Sequence, residues 1–422
     1  MMQSAVRTKT AAHNPTIHDA AGYRVAPVQM EPKQRIRILH SVGHLLRGGI
    51  ETWLYQIIKT LDTEQFEHHV LVRTAQEESF TAEFRRAGVQ VIPCSHFKNP
   101  ITYAQEFRRI VRQYGPYQIL HVHGSNPNGL MALLLAKPLG IGATIVHSHN
   151  DVRPLLNRRG PLYRAYVGLT LRLLRGCSDQ GLAASVLAAE SMFGKSWMND
   201  KRRRLLYYGI DFKPFAEPRD AAIRAELGIP SDAFVIGHVG RFHEQKNHEL
   251  LVEMASELIN RDSCIHFLLI GEGELRARIA EAIQRRGLSG HFTFVPDSLS
   301  VPRLMVSAMD CFVFPSRYEG LGLVAVEAQA AGLPCLLSDR VPEEAVVDPN
   351  LVNVLKLEDG AKRWADKIME MKHGGSKSDS ANHLRAFEES CFNLGENALI
   401  LAAIYRSMSR QPSQLRNFGL AT

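Results

Sequence analysis

Residues 311–334 read CFVFPSRYEGLGLVAVEAQAAGLP. Cys311 to Pro315 is short, apolar and β-prone, Glu319-Gly320-Leu321-Gly322 makes a flexible turn, and Leu323 to Ala331 is an Ala-rich helix stopped by Gly332 and Pro334. A strand, turn and helix in that order set the amides of a helix start beside a sheet edge, a geometry that suits a phosphate. Glu319 lies in the turn and Glu327 inside the helix, with seven residues between them. Both carboxylates can face one crevice at different depths, one toward a sugar and the other toward a ribose. Acids also enrich at helix starts because they complement the helix dipole, which accounts for Glu319 better than for Glu327.

Working outward, the alternation of strand and helix recurs on both sides. After RIRILHSV and the turn Arg47-Gly48-Gly49, a helix is predicted over 50–61. Further strands follow at 69–75, 89–94, 118–122, 144–148 and 180–184, with helices near 79–87, 101–114, 128–137 and 161–175. Gly209 and Pro214 in YYGIDFKPFAE break the pattern, and a second series begins. Its strands are expected at 234–239, 265–270, 292–295, 311–314 and 334–337, and its helices near 247–259, 274–286, 301–308 and 323–331. Such alternation implies mostly parallel sheets covered on both faces.

The expected fold is therefore α/β, with two Rossmann-like doubly wound parallel-sheet domains facing a central cleft. The first spans 35–208 and the second 209–390, while 391–422, with an apolar helix over 396–408, packs back across the domains. Residues 1–34, polar and interrupted by Pro15, Pro27 and Pro32, read as a disordered leader, and HGGSKSDSAN at 373–382 reads as a mobile link.

A chain of 422 residues with 45% apolar content is long enough for two cores without staples. It has no run approaching the ~18 apolar residues that cross a bilayer. Its six cysteines are dispersed and contain no CxxC pair, which points to reduced thiols and a cytoplasmic setting. The net charge of +7 conceals an asymmetry: residues 35–210 carry 23 Lys+Arg against 12 Asp+Glu, and 211–422 carry 23 against 29. A basic first half suits an anionic partner.

Arg241 follows the strand VIGHVG and Lys246 comes five residues later in GRFHEQKN, so two cations project from a C-terminal sheet edge. Opposite a diphosphate they would neutralise charge on a departing group. Ile270-Gly271-Glu272-Gly273 is a glycine turn after a strand, placed to let a base or ribose approach the backbone, and Val295 and Pro296 close the next strand as a wall beside it. There is no DxD pair and no His/Cys group with ligand spacing along the chain.

Together, GRFHEQKN, LLIGEGELR, the stretch from Cys311 to Asp339 and the preceding YYGID resemble, in order and spacing, the second domain of retaining GT-B glycosyltransferases of the large family numbered four. The resemblance covers about residues 35–410. It implies that Arg241 and Lys246 hold the donor diphosphate, that Glu319 meets the donor sugar and that Glu327 meets the ribose. Gly320, Leu321, Gly322 and Leu323 then frame the donor with Gly271, Gly273, Val295 and Pro296. Gly48-Gly49-Ile50-Glu51 resembles the family's glycine turn, whose amides approach the donor phosphate. His123, ending ILHVHG, matches the histidine that members present to the transferred sugar. His121 is assigned to the opposite face of that strand. His147, His149 and Asn150 line the acceptor side, with Asn126 and Asn128 as further polar candidates.

The implied activity is metal-independent, hexosyltransferase-like transfer with retention, from a nucleoside-diphosphate sugar to a hydroxyl of a carbohydrate or lipid-linked carbohydrate, in exopolysaccharide, capsule or lipopolysaccharide building. No cofactor, no metal and no nucleic acid are expected. A GT-B sugar-nucleotide epimerase and a silent nucleotide-sugar-binding subunit are the alternatives.

Arg153, Arg158 and Arg159 precede LYRAYVGLTLRLLRG, which carries Arg164, Arg172 and Arg175, and Lys201-Arg-Arg-Arg204 follows. Leu162, Tyr166, Leu169 and Leu173 form an apolar stripe. It either rests on an anionic membrane at the inner face of the plasma membrane or covers a sheet.

Overall fold

Strand β1 (Ile36–Ser41) arises where the basic, polar lead-in gives way to IRILHS, whose last four residues are buried. It is an interior strand of a parallel sheet, with β2 (Phe66–Val72), β3 (Gln90–Pro93), β4 (Ile119–His123), β5 (Ala143–Ser148), β6 (Gln180–Ala183) and β7 (Arg203–Leu205) in the order β3-β2-β1-β4-β5-β6-β7. A second parallel sheet orders β10-β9-β8-β11-β12-β13, from β8 (Phe234–Val239), β9 (Ile265–Ile270), β10 (Phe292–Val295), β11 (Cys311–Phe314), β12 (Cys335–Ser338) and β13 (Val352–Leu355). The computed structural model describes residues 35–410 apart from 47, 96–98, 125–126, 154–155, 157–158, 297–299 and 375–382. The expected leader, most of the expected link and Asn126 lie outside the described residues.

The helices form where apolar residues recur on one side. In Gly49–Thr60 the inward residues are Trp53, Leu54, Ile57 and Ile58, with Glu51 in the first turn and Lys59 in the last, charges that complement the helix dipole. Pro100–Tyr114 starts with proline at its first turn, and Asn99 Oδ1 accepts from Ile101 N at 2.9 Å. The short edge strands β7 and β13 and the helices Val186–Phe193 and Gly360–His373 add to the elements read from the pattern.

Each sheet is packed on both faces, which gives two cores per lobe. Helix Leu394–Ser409 follows the second sheet in the chain yet buries Leu401, Ala402, Ile404 and Tyr405 in the core of the first. Its entry is tied to the connector: Ile210 N donates to Phe392 O at 2.7 Å and Leu394 N to Ile210 O at 3.2 Å. The two segments run so close that a Cβ at Gly209 would stand 2.6 Å from Leu394 Cα.

Candidate functional site

The loop after β8 is shaped by contact between two turns. Gly271 (φ +141°) and Gly273 (φ +153°) adopt conformations that L side chains rarely hold, and a Cβ on either would collide with the backbone of Gly240 or Phe242. Gly240 N donates to Ile270 O, Phe242 N to Glu272 O, and Gly271 N to Val295 O, each at 2.9 Å. The close approach that these glycines permit is thus made by the Gly240–Phe242 segment. Val295 is a core side chain at 2% exposure, and Pro296 is exposed at the strand end.

From that clamped turn the chain makes one 3-10 turn, Glu244–Lys246, and passes through Asn247 (φ 56°) into helix His248–Ile259. Asn247 Nδ2 donates to Pro315 O at 3.2 Å, and Gln245 Nε2 donates to Tyr318 O at 2.9 Å and to Glu319 Oε2 at 3.3 Å. These bonds bring Lys246 Nζ to 2.7 Å from Glu319 Oε1 and 4.5 Å from the centre of the Phe314 ring. The pair is largely enclosed, with side chains 16% and 7% exposed. Cation and carboxylate, 73 residues apart in sequence, meet at the C-terminal edge of one sheet.

Glu319 leads into Gly320-Leu321-Gly322. Gly322 (φ +84°) is the left-handed residue that starts helix Leu323–Ala330. Leu321 is in the second-lobe core, and Leu323 touches the cores of both lobes. Glu327 is half-buried, and its carboxylate has no protein partner among the described residues. Burial pushes its pKa up to about 7. At Gly320 a Cβ would stand 2.8 Å from both His149 O and Asn150 Oδ1, so the turn abuts the end of β5 in the other lobe. Glu344 of the second lobe also accepts from Val186 N at 2.8 Å, at the start of a first-lobe helix.

Arg241 is exposed, and its side chain makes no hydrogen bond or ion pair among the described residues; the guanidinium stands beside Gly48 of the first lobe. The Glu51 carboxylate folds back over the same glycine, where a Cβ would meet its Oε2 at 2.6 Å. Burial raises the pKa of Glu51, and the nearby Arg241 charge opposes that. Gly49 opens the helix. Glu51 had no assigned role in the sequence; the signal was its place two residues past Gly49 in the glycine-turn stretch, which says nothing about the arginine of another lobe.

The face assigned to His121 requires a correction. His121 and His123 share a face, with ring centres 4.2 Å apart, because residues two apart on a strand point the same way. His123 is 4% exposed and has both ring nitrogens engaged. Its Nε2 is 3.0 Å from His40 Nδ1 and its Nδ1 3.0 Å from His149 Nε2. His149 Nδ1 in turn meets Tyr208 Oη at 2.6 Å. His123 therefore faces other imidazoles, and it is the His149–Asn150 backbone that borders the second lobe. His147 lies fully buried between them on β5, and Asn128 is half-buried at the start of helix Pro127–Ala136. Burial lowers the pKa of His123 to about 3 and holds His40, His121, His147 and His149 well below the ordinary histidine value, so all five are neutral at pH 7.

Although no ligand spacing runs along the chain, the sheet brings His40, His121 and His123, and likewise His123, His147 and His149, to within 4.8 Å of one another. The missed signal was the HxH of β4 and the HSH that ends β5, read with the histidines of β1 and β2.

Two doubly wound lobes with a charged turn pair at one sheet edge define a GT-B glycosyltransferase architecture. Residues 220–386 match the family of glycosyl transferases group 1, and residues 47–213 match glycosyltransferase family 4. The putative glycosyltransferase EpsF of Bacillus subtilis is 32% identical over 341 residues, covering 79% of this chain and 86% of that one. An Escherichia coli UDP-Gal:alpha-D-GlcNAc-diphosphoundecaprenol alpha-1,3-galactosyltransferase is 23% identical over 72% of this chain and 80% of its own. Among solved structures, Anabaena Alr3699/HepE in complex with UDP and glucose superposes with a TM-score of 0.73 at 18% identity, covering 88% of this chain and all of that one. The chain belongs to the family-four, group 1 glycosyltransferases and is a glycosyltransferase enzyme.

Proposed function

We propose that this enzyme transfers a sugar, with retention, from a nucleoside diphosphate to a hydroxyl of a lipid-linked carbohydrate in bacterial polysaccharide assembly. The observation that carries the donor assignment is the 2.7 Å Lys246–Glu319 pair at the end of β8 and β11, flanked by the unpartnered Arg241 and Glu327. Lys246 and Arg241 neutralise the departing diphosphate, and Glu319, held by Lys246 and Gln245, orients the sugar. The Glu327 carboxylate accepts from the ribose hydroxyls, which supply the donors its surroundings lack. The Gly48–Gly49 turn and the His149–Asn150 segment close the site from the first lobe, with His123 and His147 holding the latter in place. The UDP bound by Alr3699/HepE and the undecaprenol-linked acceptor in the name of the E. coli relative support this reading.

The enzyme works at an anionic membrane, on this proposal, through helix Pro161–Cys177. Its inward residues are Thr170, Leu171 and Leu174, while the stripe Leu162, Tyr166, Leu169 and Leu173 points outward at 87, 52, 57 and 40% exposure. Arg159, Arg164 and Arg172 are exposed on the same segment, and Arg108, Arg109 and Arg112 are exposed on helix Pro100–Tyr114 of the same lobe. Apolar side chains wetted beside clustered arginines suit insertion at an anionic interface, where each basic residue adds about 1 kcal/mol. Among the described residues no helix is long and apolar enough to cross a membrane.

A thermal-shift series with UDP, GDP and ADP, then their sugars, identifies the donor, since a ligand at 100 times its Kd adds about 2.7 kcal/mol. With that donor, free nucleoside diphosphate is expected only when a lipid-linked acceptor is added. An epimerised nucleotide sugar formed without acceptor would refute transfer.

A further inference from the structure

We propose that His40, His121 and His123 form a buried transition-metal site of the kind that zinc occupies. One ring nitrogen from each lies within 4.8 Å of the others, and all three residues are buried. In each ring the other nitrogen is held from outside the triad: His40 Nε2 by His68 Nδ1 at 3.0 Å, His121 Nδ1 by Tyr405 Oη at 2.7 Å, and His123 Nδ1 by His149 Nε2 at 3.0 Å. Such outer bonds fix the tautomer and the ring direction of metal-ligating histidines.

The three rings do not satisfy one another's nitrogens. His40 Nδ1 and His123 Nε2 share one hydrogen bond at 3.0 Å. His121 Nε2, on a residue with 0% exposure, has no hydrogen-bond partner among the described residues. A cation at the centre would take one lone pair from each ring and leave no buried nitrogen unmet in the triad. Bonds of about 2.0–2.1 Å at tetrahedral angles need ring nitrogens about 3.3 Å apart, so the 3.0 Å His40–His123 contact would open by about 0.3 Å while His121, within 4.8 Å of both, would close by up to about 1.5 Å. Three imidazoles with no thiolate or carboxylate select zinc, copper or nickel over magnesium or calcium. The alternative triad of His123, His147 and His149 is less well prepared, because among the described residues neither ring nitrogen of His147 is held by a side chain.

The site's outer shell reaches an element from the far end of the chain. Tyr405 lies on helix Leu394–Ser409 and is 284 residues from His121. A bound ion would therefore fasten β1 and β4 and, through the His121–Tyr405 bond, the last helix onto the first sheet. This role is structural and does not rest on the sugar-transfer reading.

The test uses the full-length, tag-free chain. Metal content is measured by plasma mass spectrometry after desalting, and again after chelator treatment and incubation with Zn2+; about one equivalent is expected, with a higher Tm in the zinc-loaded form. Loading with Co2+ is expected to produce the visible absorption of a tetrahedral nitrogen site. His121→Ala should abolish stoichiometric binding. Because a cavity there can harm folding, Tyr405→Phe serves as a second variant; it keeps the ring and is expected to weaken zinc affinity about 10–100-fold with unchanged circular dichroism. A folded wild-type chain that takes up less than about a tenth of an equivalent from excess Zn2+ would overturn the proposal. So would zinc binding unchanged in both variants. A metal-free, active enzyme would refute this site and leave the transfer reading intact, whereas a zinc-loaded chain without transferase activity would do the reverse.

Discussion

Lys246→Met removes the ammonium that lies 2.7 Å from Glu319 Oε1 and leaves a carboxylate, 7% exposed, with Gln245 Nε2 at 3.3 Å as its remaining side-chain partner among the described residues. At 2.7 Å and an effective dielectric near 20, the Coulomb attraction is about 6 kcal/mol, an upper bound because desolvation of both ions offsets much of it. Lys246 keeps 16% exposure, so the expected destabilisation is smaller, about 2–3 kcal/mol. For a lobe of this size that lowers Tm by about 4–12 °C. Glu319→Gln strands the more exposed partner and should cost about 1 kcal/mol. The double variant contains neither charge and should recover about 1.5–2 kcal/mol relative to the sum of the single changes. Transfer behaves differently: both single variants and the double should lose about 100-fold or more, because the two groups act on the donor as well as on each other. Urea and thermal melts without nucleotide, beside initial rates of nucleoside diphosphate release, separate the two effects. Additivity within about 0.5 kcal/mol would show that the pair does not form in solution. Lys246→Met activity within about tenfold of wild type would refute its role at the diphosphate.

Gly320→Ala places a Cβ 2.8 Å from His149 O and Asn150 Oδ1, an overpacking of about 1–3 kcal/mol. Transfer should fall about 5–100-fold while UDP affinity, measured calorimetrically, stays within about threefold. Glu327 binds its proton more tightly in the fold, at about 7, than at its ordinary value of 4.5. Between these values the folded chain holds more protons than the unfolded one, so the stability of the nucleotide-free protein should decline as pH rises from 4.5 to 7, by about 1–3 kcal/mol, and be flat above. Glu327→Gln should abolish that slope in pH-resolved urea melts. Replacing Leu162, Leu169 and Leu173 together by Ser should change stability by less than about 1 kcal/mol, since all three are exposed, yet reduce pelleting with anionic liposomes at least about tenfold. Pelleting unchanged by the triple replacement would refute membrane docking, and so would a wild-type stripe buried in a dimer by analytical ultracentrifugation.

Strands β8 to β11 coincide with their apolar runs, because each is a short β-branched and aromatic segment bounded by glycine, proline or polar turns. Weaker signals mark what was missed: β7 is Arg-Arg-Leu, and β13 has only intermediate and exposed positions. The glycines of the 271–273 turn were recognisable as a close approach, but its occupant, the Gly240–Phe242 backbone, was not. The apolar stripe on helix Pro161–Cys177 shows the limit clearly. Periodicity gives an angle around a helix axis, and the same stripe serves a sheet or a membrane; here the sheet took Leu171 and Leu174 and left Leu162, Tyr166, Leu169 and Leu173 outside.

Local chemistry was enough to determine the two alternating series, the break near Gly209 and the charged turns at strand ends, since apolar period and glycine punctuation act over a few residues. Tertiary packing alone decided that the last helix joins the first lobe's core, that Arg241 stands over Gly48, and that histidines 26, 28 and 83 residues apart touch. The reason is physical: in a parallel sheet every lateral neighbour is separated by a crossover, so the contacts that assemble a site are the ones the chain order hides.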